Sequence, residues 1–365
     1  MIGAGLAGAA AAWALSRRGY QVTVIEQAAP AWAGGSSHGS ARIVRRAYLD
    51  PFYVGLTGRA FDLWRELELS TPSTLLRITG GIDHGPGRDP ARLVDVLASA
   101  GVTASLLPAA EASERWPGMR FDGPVVHHDQ AGTVDASAAV GAFLAGLPMQ
   151  HATVSSIVPG DDHVDLVVDG EPRRVRRVVV AAGAWAGALL GGVVPLPALR
   201  VTRQRIFHFP RRDPDTVWPV TIHKTIGHKA PGTEIYHLPG GRDGGPGDAR
   251  KVAEHDRGIP TAPPSPGAAI AEVDDETRAR VTRYVEQWLP GLDPRPFAPA
   301  TCLYTSTPDD DFVLDRVGGL VVVSACSGHG GKFAPLLGEL AADLVDGGEP
   351  LPRFRLPRAP AAVGA

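Results

Sequence analysis

Cysteine is almost absent from this chain: among 365 residues only Cys302 and Cys326 carry a thiol. Two thiols do not make a disulfide framework for a chain of this length, and the expectation is a reducing compartment, the cytoplasm. Long apolar runs are missing as well. No stretch reaches the roughly 18–20 continuous apolar residues of a membrane span. The start, MIGAGLAGAAAAWALSRR, has an apolar run, but Arg17 and Arg18 follow it. A secretory leader carries its positive charge before that run, so the segment is expected to be structural. Neither sign of charge is in excess. A formal net charge of -3 and a pI near 6.5 give nucleic acid or an anionic membrane no electrostatic purchase.

What is present is ordinary in bulk and specific in detail. The chain is 44% hydrophobic and 21% charged, as for a globular protein, and long enough for two domains. With 44 Gly and 33 Pro it should be rich in turns. It opens as turn, helix and strand. Gly3-Ala4-Gly5-Leu6-Ala7-Gly8 leads into an alanine-rich helix to about Arg18, a stop at Gly19 and a strand from Gln21 to Ile25 closed by Glu26. A loop with Gly34, Gly35, Ser36, Ser37 and His38 follows. Apolar residues from Tyr53 to Glu68 then recur at helical spacing. Two further units read strand, glycine, helix: Val178 to Ala182 before Gly183, and Gly319 to Ala325 before the run Cys326 to Lys332 and a helix from Pro335 to Leu344. Between them, Arg205 to Pro210 and Thr233 to Leu238 read as strands, while Pro239 to Asp248 and Ile259 to Gly267 read as loops. The pattern is a nucleotide domain in discontinuous pieces with a β-rich domain inserted twice.

The three glycines of the opening turn have separate physical tasks. Gly3 permits the tight turn, Gly5 lets backbone approach a pyrophosphate, and Gly8 lets the helix pack close to the sheet. The free N–H groups and dipole of the helix start favour the diphosphate. Glu26 stands where a carboxylate can accept hydrogen bonds from the adenosine ribose. The strand that should precede the turn is reduced to Met1 and Ile2, where about five or six residues are usual, so the expectation is a start lying upstream. The fingerprint alone leaves NAD and FAD both open.

Later segments narrow the choice. His38-Gly39-Ser40-Ala41-Arg42-Ile43-Val44-Arg45 places two arginines after a Ser/Gly loop. Thr301-Cys302-Leu303-Tyr304-Thr305 precedes Asp309 to Asp315, and Ser327-Gly328-His329-Gly330-Gly331-Lys332-Phe333 follows an apolar strand. Together with Arg115-Trp116-Pro117-Gly118 and the Val178 to Trp185 unit, these runs resemble the monomeric sarcosine oxidase and N-methyltryptophan oxidase family of the glycine/D-amino-acid oxidase group. The resemblance spans nearly the whole chain and is weakest from about Asp213 to Ala298.

It implies an α/β (α+β) fold, a Rossmann-like FAD-binding domain with an inserted, mainly antiparallel β-sheet substrate domain. The FAD-binding part would comprise residues 1-77, 133-198 and 303-365, and the substrate part 78-132 and 199-302. It implies covalent FAD, joined through its 8α-methyl to Cys302. A thiolate is a soft nucleophile suited to that electron-poor carbon. Cys326 has no counterpart in the family pattern and reads as packing. The turn of Gly328, His329 and Gly330 would aim a helix start at the flavin, with His38 and Arg42 beside the ring. Lys332 and Arg45 would clamp a substrate carboxylate, and Tyr304 and Tyr236 would line the pocket. Lys251 and His255 would support oxygen reduction and face the substrate, respectively.

The implied reaction is oxidation of a secondary amine, imino acid or N-methyl amino acid to the imine, with O2 reduced to H2O2. The implied partners are that small amine and O2, and the implied state is a monomer. Two readings keep the flavin and change the rest: a dehydrogenase with another electron acceptor, and a non-catalytic flavoprotein. A nicotinamide dehydrogenase leaves Cys302 and the Ser327 to Lys332 turn without purpose.

Overall fold

The computed structural model describes residues 1–225, 233–245, 249–268 and 274–357. The last part of the 239–248 loop and the segment after residue 357, both covered by expectations above, lie outside the described residues.

The fold is mixed α/β, with a mostly parallel sheet and a larger, mostly antiparallel one. In the first, Met149–His151 pairs with Val24–Glu26, and Val178–Val180 pairs with Leu320–Ser324, all in parallel; Val313–Val317 closes the edge antiparallel. Ile2 joins the two halves. It forms parallel bridges to both Ile25 and Val180. Its amide donates to Val179 O and its carbonyl accepts from Ala181 N, while Gly3 N donates to Ile25 O, each at 2.9 Å. The centre of the sheet is thus held by the few residues before the turn, where a full strand was expected.

Gly3 has φ +95°, and a Cβ there would meet Ala181 O at 2.5 Å. The helix Leu6–Arg17 starts directly after this turn. All its alanines but Ala7 are buried because it is covered on two sides, by Ala334–Val345 and by Ala136–Leu144. Small side chains suit this arrangement: a Cβ on Gly338 would stand 2.5 Å from the backbone of Ala10, so the two helices approach closely at that point.

The larger sheet has nine strands. Phe297–Ser306 and Ile259–Pro260 flank Arg200–Phe209. Arg250–Glu254, Glu234–Pro239, Val220–Lys224, Gly81–His84, Val125–His128 and Ser105–Leu107 then follow in order. One junction is parallel, between Val220–Lys224 and Gly81–His84. The two-residue strand Ile259–Pro260 falls where the sequence reads as a loop. A proline is tolerated there because this is an edge. A third sheet, Leu76–Ile78 and Arg42–Arg45 on either side of Ala131–Val134, links the two large ones.

Candidate active site

A cavity of about 460 Å³ begins at the glycine turn and ends against the large sheet. At one end it is lined by Gly3, Gly5, Glu26, Ser37 and the ring pair Trp32 and Trp185, whose centroids are 6.1 Å apart. At the other it is lined by Arg42, Tyr236, Lys251, Cys302, Tyr304, Gly328 and Gly330. Residues from both ends of the sequence therefore line one cavity.

At the turn, the Glu26 carboxylate accepts from Ala4 N at 2.7 Å and from Ala28 N at 2.9 Å. Ser37 Oγ accepts from Leu6 N at 2.9 Å and so satisfies one orphan donor of the helix start. Gly8 lies one turn into the helix, where a Cβ would collide with the carbonyl of Gly3.

At the far end, Cys302 and Tyr304 alternate on one face of Phe297–Ser306, a strand held along its length by Arg200–Phe209. Cys302 is buried and has no disulfide partner. Tyr304 and Tyr236 lie together in this wall, and burial raises the pKa of both. His255 stands beside them, its ring centroid 5.8 Å from Tyr304 and 6.5 Å from Tyr236. Gly328, at φ +71°, lets the Ser327–Lys332 turn approach; a Cβ there would run into the Tyr304 ring.

Lys251 Nζ donates to Ala41 O at 3.0 Å. Burial, reinforced by the charge of Arg42, brings its pKa down to about 7. Arg42 keeps a buried Nη2 without a hydrogen-bond partner, and His38 likewise a buried Nε2. Burial and then Arg42 push His38 down to about 4, so its ring is neutral. His38, Arg42 and Lys251 also line a second cavity with Asp243, whose carboxylate accepts from Ser40 N at 2.6 Å.

Arg45 and Lys332 stand outside the walls of both cavities and meet around Tyr48. Arg45 lies over the Tyr48 ring at 4.9 Å and Lys332 at 5.5 Å. Lys332 Nζ donates to His329 O at 2.8 Å, and its pKa is held well below the usual lysine value by burial and by Arg45. His329 Nε2 lies 2.9 Å from Asp310 O, so Nδ1 is left to accept from the Tyr48 hydroxyl at 3.2 Å. Burial pushes His329 down to about 3.

Several residues of this region were given no role from the sequence: Ser37, Tyr48, Asp243, and the buried pair Asp83 and Arg88. Asp83 lies 2.6 Å from Arg88 and 3.7 Å from Arg45. An aspartate in the middle of the short strand Gly81–His84 was the one signal that could have flagged the pair.

The unpaired Nη2 of Arg42 in the wall of this cavity, with a glycine turn at one end and a thiol at the other, fits an anionic dinucleotide carrying a ring system. Residues 1–344 match the sequence profile of the family described as FAD dependent oxidoreductase. The chain is 31% identical to a monomeric sarcosine oxidase of Streptomyces avermitilis, over 94% of this chain and 92% of that one. It is 30% identical to an N-methyl-L-tryptophan oxidase of Citrobacter koseri, over 98% of each. Among solved structures it superposes on NikD, described as an unusual amino acid oxidase essential for nikkomycin biosynthesis, with a TM-score of 0.80 and 25% identity. That superposition covers 94% of this chain and 92% of the other.

Proposed function

Because the chain belongs to the FAD dependent oxidoreductase family, we propose that it oxidises the amine of a secondary or N-alkyl amino acid, releasing the imine and passing the electrons to O2. The single observation carrying this reading is the meeting of Arg45, half-buried, and Lys332, buried, around the Tyr48 ring beside the cavity. A guanidinium beside a buried lysine lowers the lysine's proton affinity, and an incoming carboxylate relieves that repulsion.

When bound, FAD supplies a two-electron acceptor for the C–H next to the amine nitrogen. The Gly3–Gly8 turn and the Leu6–Arg17 helix start would hold its diphosphate, Glu26 its ribose and Cys302 its ring. His38, Arg42 and the Gly328–Gly330 turn would surround that ring. Arg45 and Lys332 would fix the substrate carboxylate, and Tyr236, Tyr304 and His255 would form the wall against the amine. Fixed positive charge in the pocket disfavours an ammonium, which keeps the substrate nitrogen's lone pair available. Lys251 would supply the positive charge that favours electron transfer to O2. The same reading assigns residues 78-132 and 199-302 to the substrate domain and the remaining segments to the FAD-binding domain, in a monomer.

Two measurements test it. The purified protein is precipitated with acid; a yellow pellet supports attachment at Cys302, and a colourless pellet under a yellow supernatant rejects it. A panel of N-methyl and cyclic amino acids is then screened for peroxide. Flavin reduction by a panel member without peroxide would replace O2 with another acceptor, and no reduction by any member would overturn the amine assignment.

A further inference from the structure

The sheet that presents Asp83 on one face presents His84 on the other. His84 ends its strand directly opposite His223 in the parallel pairing. Both side chains are buried, with 2% and 0% exposure, and their rings stack with centroids 3.9 Å apart. Asp122, exposed next to Phe121, brings a carboxylate to the pair. One potential donor atom from each of the three lies within 4.8 Å of the others, and no other group of this kind occurs among the described residues.

Three observations separate this cluster from ordinary packing. His84 Nδ1 and His223 Nε2 are buried without a hydrogen-bond partner, which a dry core rarely tolerates. His223 Nδ1 lies 2.9 Å from the Tyr284 hydroxyl. With Nδ1–H donating there, Nε2 keeps its lone pair, which is how a hydroxyl or carbonyl orients a metal-bound histidine. The nearby His237 is fixed in the opposite sense: its Nδ1 accepts from Arg250 Nε at 2.9 Å, which places the proton on Nε2 and leaves no free lone pair. Trp288 meets His223 edge-on at 4.5 Å and Phe121 meets His84 edge-on at 5.0 Å, giving apolar walls.

We propose that His84, His223 and Asp122 bind a divalent transition ion, zinc being the best match, with water in the fourth position. Two imidazoles and one carboxylate suit zinc, whereas magnesium and calcium require oxygen donors. The exposed carboxylate provides the entry path, and the ion would pin the Asp122 loop to the large sheet on the face opposite Asp83.

The test uses untagged holoprotein, dialysed against a chelator, given one equivalent of zinc sulfate, desalted and analysed by elemental mass spectrometry. About one zinc per chain is expected in the wild type, and at least about tenfold weaker binding in D122A and H223F. H223F retains an aromatic ring against Trp288 without a ligand nitrogen; should it fail to fold, D122A carries the test at an exposed position. Cobalt substitution should give tetrahedral visible bands in the wild type alone, and zinc should raise its melting temperature but not that of D122A. Flavin content and peroxide formation should be unchanged in D122A. Failure of the wild type to retain zinc after desalting, or equal retention by wild type and D122A, overturns the site.

Discussion

Arg42 and Arg45 are three positions apart in one strand, so their side chains leave on opposite faces. Arg42 turns to the cavity and Lys251; Arg45 turns to Tyr48, Asp83 and Lys332. Their separate surroundings support separate tasks and separate tests. With Lys251 near a pKa of about 7, its ammonium is present below that pH and lost as pH rises through it. Oxygen uptake at saturating amine should therefore fall as pH rises through about 7. Lys251→Met should slow it about 100-fold and remove that pH step, read with an oxygen electrode. Arg45→Met or Lys332→Met should instead weaken a carboxylate inhibitor roughly 10- to 100-fold, measured by titration, and leave the corresponding amide unaffected. Most site residues were named from motif runs toward the two ends of the sequence, and Tyr236, Lys251 and His255 from its middle. Asp83 and Tyr48 were given no role, because one is an ordinary strand residue locally and the other acquires meaning only from the basic groups around its ring.

Among the elements, those near the three glycine turns were legible within a few residues, since each is a local pattern of strand, turn and helix. The expected helices Tyr53 to Glu68 and Pro335 to Leu344 correspond to Pro51–Leu69 and Ala334–Val345. Strand partners in the large sheet were not legible. The parallel junction of Gly81–His84 with Val220–Lys224 joins segments far apart in sequence, and no local propensity encodes it. Helix packing yields a contrast at this scale. Gly338→Val should destabilise by roughly 1–3 kcal/mol, because its Cβ meets the backbone of Ala10, which cannot yield. Gly141→Ala, on a helical face with nothing within 4 Å, should stabilise by about 0.5–1 kcal/mol. Denaturant unfolding of the two variants reads both signs.

Across the whole molecule, burial holds several histidines neutral. His38 and His128 are brought down to about 4, and His329 to about 3, from an ordinary 6.5. A group whose folded pKa is depressed contributes its full stability above the unfolded value and loses it as pH falls. The melting temperature should therefore decline as pH drops from about 6.5 toward 4. His128→Gln should flatten part of that decline, read by scanning calorimetry across the same buffers.

The packing of Leu6–Arg17 against Ala334–Val345 also sets an order in time. A ribosome makes the alanine-rich helix long before its neighbour Ala334–Val345 and the strands Val313–Val317 and Leu320–Ser324. Until then the nascent chain exposes an apolar helix and an unfinished sheet edge, the surfaces that chaperones hold and aggregation exploits. The feature that makes the glycine turn secure in the finished protein also makes it wait for the far end of the sheet.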